Sequence, residues 1–213
     1  AGENRHHLPH VRPDFYRERL WEVKRRATLE IDLGRLSGNY KKILRRVRPA
    51  RVLAVIKADA YGMGLEDYLK TLIGAGCRDF GVADPFEALE AKKILRSLGF
   101  KASLSVLSSV LPDEIEAMVR AGVVLPVADL KTAKLISAAA ISLKKKAKIN
   151  FKVDTGMGRL GMALDSAIAI MQAASKLANV EVEGIMSHCP AAGGSDDYYT
   201  KEQIERFRNL ILL

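Results

Sequence analysis

The sequence predicts an α/β fold of parallel strands joined by helical crossovers, and three observations predict it. From Arg51 onward, short apolar runs rich in β-branched residues alternate with stretches of helical periodicity. The connections between them are short, as parallel strands with right-handed crossovers require, and helix-start signals fall in the gaps. Apolar residues make up 48% of the 213 residues, enough for one substantial core.

Residues Ala1 to Arg25 mix charges, prolines and three of the four histidines, His6, His7 and His10. The run HHLPH has neither helical nor finger spacing, so no metal site is expected and a solvated extension is. One amphipathic helix is expected over Asp14 to Lys24. This polar lead-in, with no initiator methionine, suggests a chain cut from something longer. Alternation over Ala27 to Asp32 predicts a strand. Leu33, Leu36, Tyr40, Ile43, Leu44 and Val47 then fall at helical spacing, so residues 26–47 form a leading strand and helix.

Residues 48–213 carry the repeating units. Strands are expected over Arg51–Lys57, Asp79–Val82, Ser103–Leu107, Val123–Val127, Lys148–Val153 and Val180–Ser187. Asp84-Pro85-Phe86-Glu87 supplies an N-cap, a proline at the first helical position and a glutamate closing a capping box; Pro112 and Asp129 start two further helices. Ala88, Leu89, Ile94 and Leu95 show the apolar period, as do Ile168, Met171, Ala174 and Leu177. Six strand-helix units fall short of a (β/α)₈ barrel, which takes about 250 residues, yet are many for a small open sheet. Periodicity alone leaves both architectures open.

Net charge is +9, but the basic residues are scattered apart from Lys144-Lys145-Lys146 and the region before Arg26. A nucleic-acid surface needs clustered basic residues among exposed aromatics, and aromatics are 6% of the chain, so no nucleic-acid partner is expected. No run of eighteen apolar residues and no signal peptide is present, which points to a soluble, cytoplasmic protein without a membrane partner. Cys77 and Cys189 fit neither a disulfide framework nor a metal-ligand spacing.

Three places carry chemistry. In Arg51 to Gly64, RVLAVIKADAYGMG, Lys57 closes a strand expected to be buried. Desolvation disfavours an ammonium, so a lysine held there can serve as a neutral amine, a nucleophile towards aldehydes or a base. The bland alternative is a lysine that snorkels to the surface. Tyr61, Gly62 and Gly64 follow at once, and small residues let backbone and hydroxyl approach an anionic group at the next helix start.

The second place is Lys148 to Gly161, KINFKVDTGMGRLG, where Gly156, Gly158 and Gly161 satisfy G-x-G-x-x-G after a strand. A dinucleotide site also needs an acidic residue closing the following strand, and that strand closes with Ser187 and His188 instead. It would also leave Lys152 and Asp154, charges in and at the end of a buried strand, without a task. His188 is the third place, since a histidine closing a strand is either a satisfied structural residue or part of a site. Lys57, Leu107, Arg159 and His188 all fall at or just past the carboxyl ends of predicted strands, where barrel active sites collect.

The string Ala54 to Gly62 resembles the pyridoxal-phosphate attachment motif of the alanine racemase family, and Lys152 to Gly161 is similar to that family's second signature. The resemblance covers roughly Arg26 to Leu213. It implies a (β/α)₈ TIM-type barrel, incomplete here, with residues 48–213 a partial cofactor-binding barrel domain and the family's carboxy-terminal β-domain absent. By the resemblance Lys57 is the attachment lysine, and Tyr61 contacts the cofactor phosphate. Leu107 belongs to the cofactor site, Arg159 meets the cofactor's phenolic oxygen or the substrate carboxylate, and His188 lies beside the pyridine ring. Lys152 matches a position that is often carbamylated to hold that arginine. The chain departs from the family at Met63, where histidine is usual, and at Cys189-Pro190 after the histidine.

The resemblance further implies a homodimeric isomerase that uses pyridoxal 5′-phosphate to interconvert L- and D-alanine for peptidoglycan. One proton-transfer group, a tyrosine of the partner subunit, would come from outside these residues, which leaves the segment alone catalytically incomplete. Two alternatives keep the fold: a racemase acting on serine or a broader set of amino acids, and a non-catalytic pyridoxal-phosphate carrier. A dinucleotide oxidoreductase ranks last.

Overall fold

The computed structural model describes residues 27–194 and 197–212. The extension 1–25, with its expected helix and its three histidines, lies outside the described residues. The chain divides into two units between Asp32 and Leu33. In the first, residues 27–32 form neither strand nor helix, although their alternation predicts a strand. Alternation becomes a strand only where a neighbour takes up the backbone N–H and C=O groups.

The second unit opens with helix α1 (Leu33–Arg46), then β1 (Leu53–Val55), the short turn α2 (Lys57–Gly62) and α3 (Leu65–Gly74). There follow β2 (Asp79–Val82), α4 (Pro85–Ser97), β3 (Ser103–Val106), α5 (Ile115–Ala121), β4 (Leu125–Val127) and α6 (Leu130–Ser142). The last elements are β5 (Ala147–Lys152), α7 (Leu164–Ser175), β6 (Val180–Met186) and α8 (Tyr198–Ile211).

All strand pairs are parallel, in the orders β1-β2-β3 and β4-β5-β6. The two sets join into one wall where Val106 N–H donates to the Val124 carbonyl at 3.0 Å and Val124 N–H to the Leu104 carbonyl at 2.8 Å. Strands that follow one another in sequence order, with no reversal, are the mark of a barrel sector rather than a doubly wound sheet. This is six of the eight units of a (β/α)₈ barrel. Among the described residues β1 and β6 are its two edges.

Burial explains the wall. The residues Phe80 to Val82, Leu104 to Val106 and Leu125 to Val127 are buried throughout, as strands covered on both faces must be. Phe80, Leu69, Leu104, Met118, Leu125, Ile136 and Ile149 are all essentially inaccessible. Truncating Phe80 to alanine would cost about 3–5 kcal/mol. Helix α4 starts as its sequence predicts: Asp84 accepts from Glu87 N–H at 3.0 Å and Pro85 is the first helical residue. Asp129 caps α6 through Thr132 N–H at 2.7 Å.

Four details differ from expectation. Strand β1 ends at Val55, so Lys57 stands beyond it rather than inside it. Pro112 begins a turn, and α5 starts at Ile115; Glu114 accepts from Leu111 N–H at 2.7 Å. Leu89 faces solvent, and Ala91 takes its place in the buried stripe of α4. Glu87 does not close a capping box on Asp84; its carboxylate goes elsewhere, as described below.

Candidate active site

The carboxyl ends of the strands surround one cavity of about 620 Å³. Lys57 and Tyr61 enter it from the segment after β1, Leu107 from the exit of β3, Lys152 from the last residue of β5, Arg159 from the loop after β5, and His188 from the exit of β6. Every site residue expected from sequence therefore lines the same space. Ser108, Asn150 and Ser187 line it as well, and among the described residues no acidic one does.

Lys57 occupies the first position of a turn with unusual handedness. Ala58, Asp59, Ala60 and Tyr61 have φ of 51°, 53°, 54° and 60°, a run of left-handed residues none of which is glycine. Each costs about 1–2 kcal/mol relative to the right-handed form, so the surroundings must hold the turn in place. Three bonds do so. Ala58 N–H donates to Glu87 Oε1 at 2.6 Å, Leu65 N–H to Asp59 Oδ1 at 2.7 Å, and Gly64 N–H to the Asp59 carbonyl at 3.1 Å. The turn leaves Tyr61 following the lysine closely, with Lys57 Nζ 5.7 Å from the centroid of the tyrosine ring.

Lys57 itself is exposed, which corrects the burial expected of it. The buried lysine is Lys152, 5% accessible, whose Nζ donates to the Leu107 carbonyl at 3.4 Å. Burial pushes its ammonium below the usual lysine range, the Arg159 guanidinium pushes the same way, and Asp154 opposes both. His188 is held below the ordinary histidine value, first by burial and then by Arg159, Lys152 and Lys57. Lys57, Lys152, Arg159 and His188 thus converge on one cavity, with no acidic residue among the described residues that line it, an arrangement suited to an anionic ligand.

The loop carrying Arg159 is closed from within. Asp154 accepts from Gly156 N–H and Gly158 N–H, each at 2.8 Å, so the amides that would cradle a dinucleotide pyrophosphate are already engaged. Gly161, at φ 142°, lies so close to β5 that a Cβ there would stand 2.6 Å from the Val153 carbonyl carbon. The glycines serve the loop's own path.

A polar network behind the cavity was not legible in the sequence. Thr155 Oγ1 and Ser187 Oγ are 2.7 Å apart, and Gln203 Nε2 donates to the His188 carbonyl at 3.1 Å. Arg206 Nη1 donates to the Thr155 carbonyl at 3.1 Å, and the Tyr199 hydroxyl donates to the Gly156 carbonyl. Tyr199, Gln203 and Arg206 recur at helical spacing on one face of α8, and that run of polar side chains is the signal that could have revealed it. Among the described residues no group of three or more His, Cys, Asp or Glu could hold a metal ion, and no helix is long and apolar enough to cross a membrane.

Residues 31–212 match the family model described as alanine racemase, N-terminal domain. The alanine racemase of Halothermothrix orenii is 33% identical over 190 residues, 89% of this chain and 49% of that protein. Among solved structures, alanine racemase of Clostridium difficile 630 superposes with a TM-score of 0.76 at 26% identity, covering 83% of this chain and 46% of that one. Alanine racemase from Bartonella henselae, solved with covalently bound pyridoxal phosphate, gives 0.73 at 27% identity, covering 85% and 50%. The chain spans about half the length of the proteins it matches.

Proposed function

The chain belongs to the alanine racemase family, through its N-terminal domain, and on that premise we propose that it is the barrel portion of a pyridoxal-phosphate-dependent racemase interconverting L- and D-alanine. The observation that carries the proposal is the convergence of Lys57, Lys152, Arg159 and His188 on one cavity that no acidic side chain lines among the described residues. The residues fit the cofactor: an amine for its aldehyde, and cations for its phosphate and phenolic oxygen. When bound, pyridoxal phosphate supplies an electron sink for the charge left at the α-carbon after proton removal.

The chain's own residues have separable tasks. Lys57 Nζ would hold the cofactor's aldehyde and, as a free amine, would move the α-proton on one face of the substrate. The Tyr61 hydroxyl is assigned to the phosphate. Arg159 donates to the phenolic oxygen or to the substrate carboxylate, where a planar guanidinium can bond two oxygens at once. His188, whose cationic neighbours disfavour its imidazolium, would lie beside the cofactor's ring, and Leu107 would contribute to the same wall. Lys152 is the candidate for carbamylation: a neutral amine adds CO₂ with loss of one proton, giving an anion beside Arg159 in place of a second cation.

Proton transfer on the opposite face is assigned to a tyrosine of the partner subunit, which makes the working unit a homodimer. The product D-alanine suits a cytoplasmic supply of peptidoglycan precursors. The test is D-alanine formation from L-alanine by the full-length protein with added pyridoxal phosphate, with L-serine run in parallel. Activity on L-alanine that Lys57→Ala abolishes is expected. A carrier would bind the cofactor without turnover, and a nicotinamide enzyme would show no visible pyridoxal absorption band.

A further inference from the structure

We propose that Glu87 is a positioning residue for Lys57; this rests on the reading of Lys57 as the attachment lysine. Glu87 occupies the third position of α4, where a glutamate ordinarily folds back onto the N–H of its own cap residue. Here it does something else. Oε2 accepts from Ala83 N–H at 2.7 Å, at the exit of β2, and Oε1 reaches across to Ala58 N–H at 2.6 Å, at the exit of β1. One carboxylate therefore ties two neighbouring strand exits, and one of its two anchors is the residue next to Lys57.

The partner it holds is the part of the chain most in need of holding. Left-handed geometry begins at Ala58 and continues through Tyr61, with no glycine to relieve it. Asp59 secures the far end of the turn through Leu65 N–H at 2.7 Å. At the near end, Glu87 is the side chain that fixes the first left-handed residue. Bonds from backbone N–H to a carboxylate are charge-assisted and stronger than neutral ones. Released from Glu87, Ala58 can return to right-handed geometry, which would redirect the lysine that precedes it. Glu87 does not line the cavity, so it acts on Lys57 through the backbone and leaves the cationic field intact.

Glutamine separates the carboxylate's geometry from its bulk. It keeps the shape, but one of its two polar ends is an NH₂ group that cannot accept from either amide. Asp84→Ala is the matching control, since it removes the cap of the same helix without touching Ala58. The experiment adds pyridoxal phosphate to the wild type, Glu87→Gln, Glu87→Ala and Asp84→Ala, quenches with borohydride at intervals, and measures label at Lys57 together with hydrogen exchange over residues 57–62. Attachment about tenfold slower in both Glu87 variants, with faster exchange confined to that segment, is expected. Asp84→Ala should attach at the wild-type rate despite a lower melting temperature. Should Glu87→Ala fail to fold, Glu87→Gln decides the matter. Attachment at the wild-type rate in Glu87→Gln, or equal slowing in Asp84→Ala, would overturn the positioning role while leaving the assigned function standing. Absence of label in the wild type would overturn the assigned function itself, and the positioning role with it.

Discussion

Thr155 Oγ1 and Ser187 Oγ lie 2.7 Å apart, joining the exits of β5 and β6 that carry Arg159 and His188. Gln203, fully buried on α8, touches both exits. Replacing Thr155 by valine keeps the shape and removes the shared hydroxyl, leaving Ser187 and Gln203 each short of a partner. The expected loss of stability is about 1–3 kcal/mol, read by chemical denaturation.

The state of His188 is testable by titration. Its value lies below the ordinary 6.5 because burial and then Arg159 disfavour the imidazolium. NMR of the ring protons should give a midpoint below 6.5 in the wild type and a higher one in Arg159→Ala. The linkage sign follows. A depressed value means that the folded state binds its proton later than the unfolded chain, so this group's stabilisation is present above pH 6.5 and is lost as pH falls through the folded value.

Tyr40 gives the opposite sign at the alkaline end. Burial, reinforced by Cys77, raises its phenol from 10.0 to about 12. Its stabilisation is present below pH 10 and is lost as pH rises towards 12, where the unfolded chain ionises first. Ultraviolet titration should show the Tyr40 phenol ionising late, and Tyr40→Phe should remove that component from the curve.

Lys152 tests the proposed carbamate. With a cation on each side of the pair, Lys152 and Arg159 repel; with CO₂ added to the lysine they attract. Bicarbonate should raise the melting temperature of the wild type, and Lys152→Met should not respond to it. Equal responses would count against carbamylation.

Much of the fold was legible because burial writes itself into pattern. Asp79–Val82 emerged with its observed bounds, and the caps at Asp84 and Asp129 matched because capping is local. Sequence also put Lys57, Leu107, Arg159 and His188 at or past strand ends, and all four line one cavity. What failed to show was non-local. The exposure of Lys57 depends on the left-handed turn, that turn depends on a glutamate 29 residues away, and the Thr155–Ser187 pair spans 32 residues. Glu87 looked like a cap because its spacing from Asp84 is that of a cap, and nothing local reveals a second acceptor.

The central claim is that Lys57 is the amine that holds the cofactor. Its most direct test is to add pyridoxal phosphate, reduce with borohydride, digest, and sequence the labelled peptide by mass spectrometry. Label on the peptide carrying Lys57, absent in Lys57→Ala, is the predicted result. Label on Lys152 or on scattered surface lysines, persisting in Lys57→Ala, would contradict it.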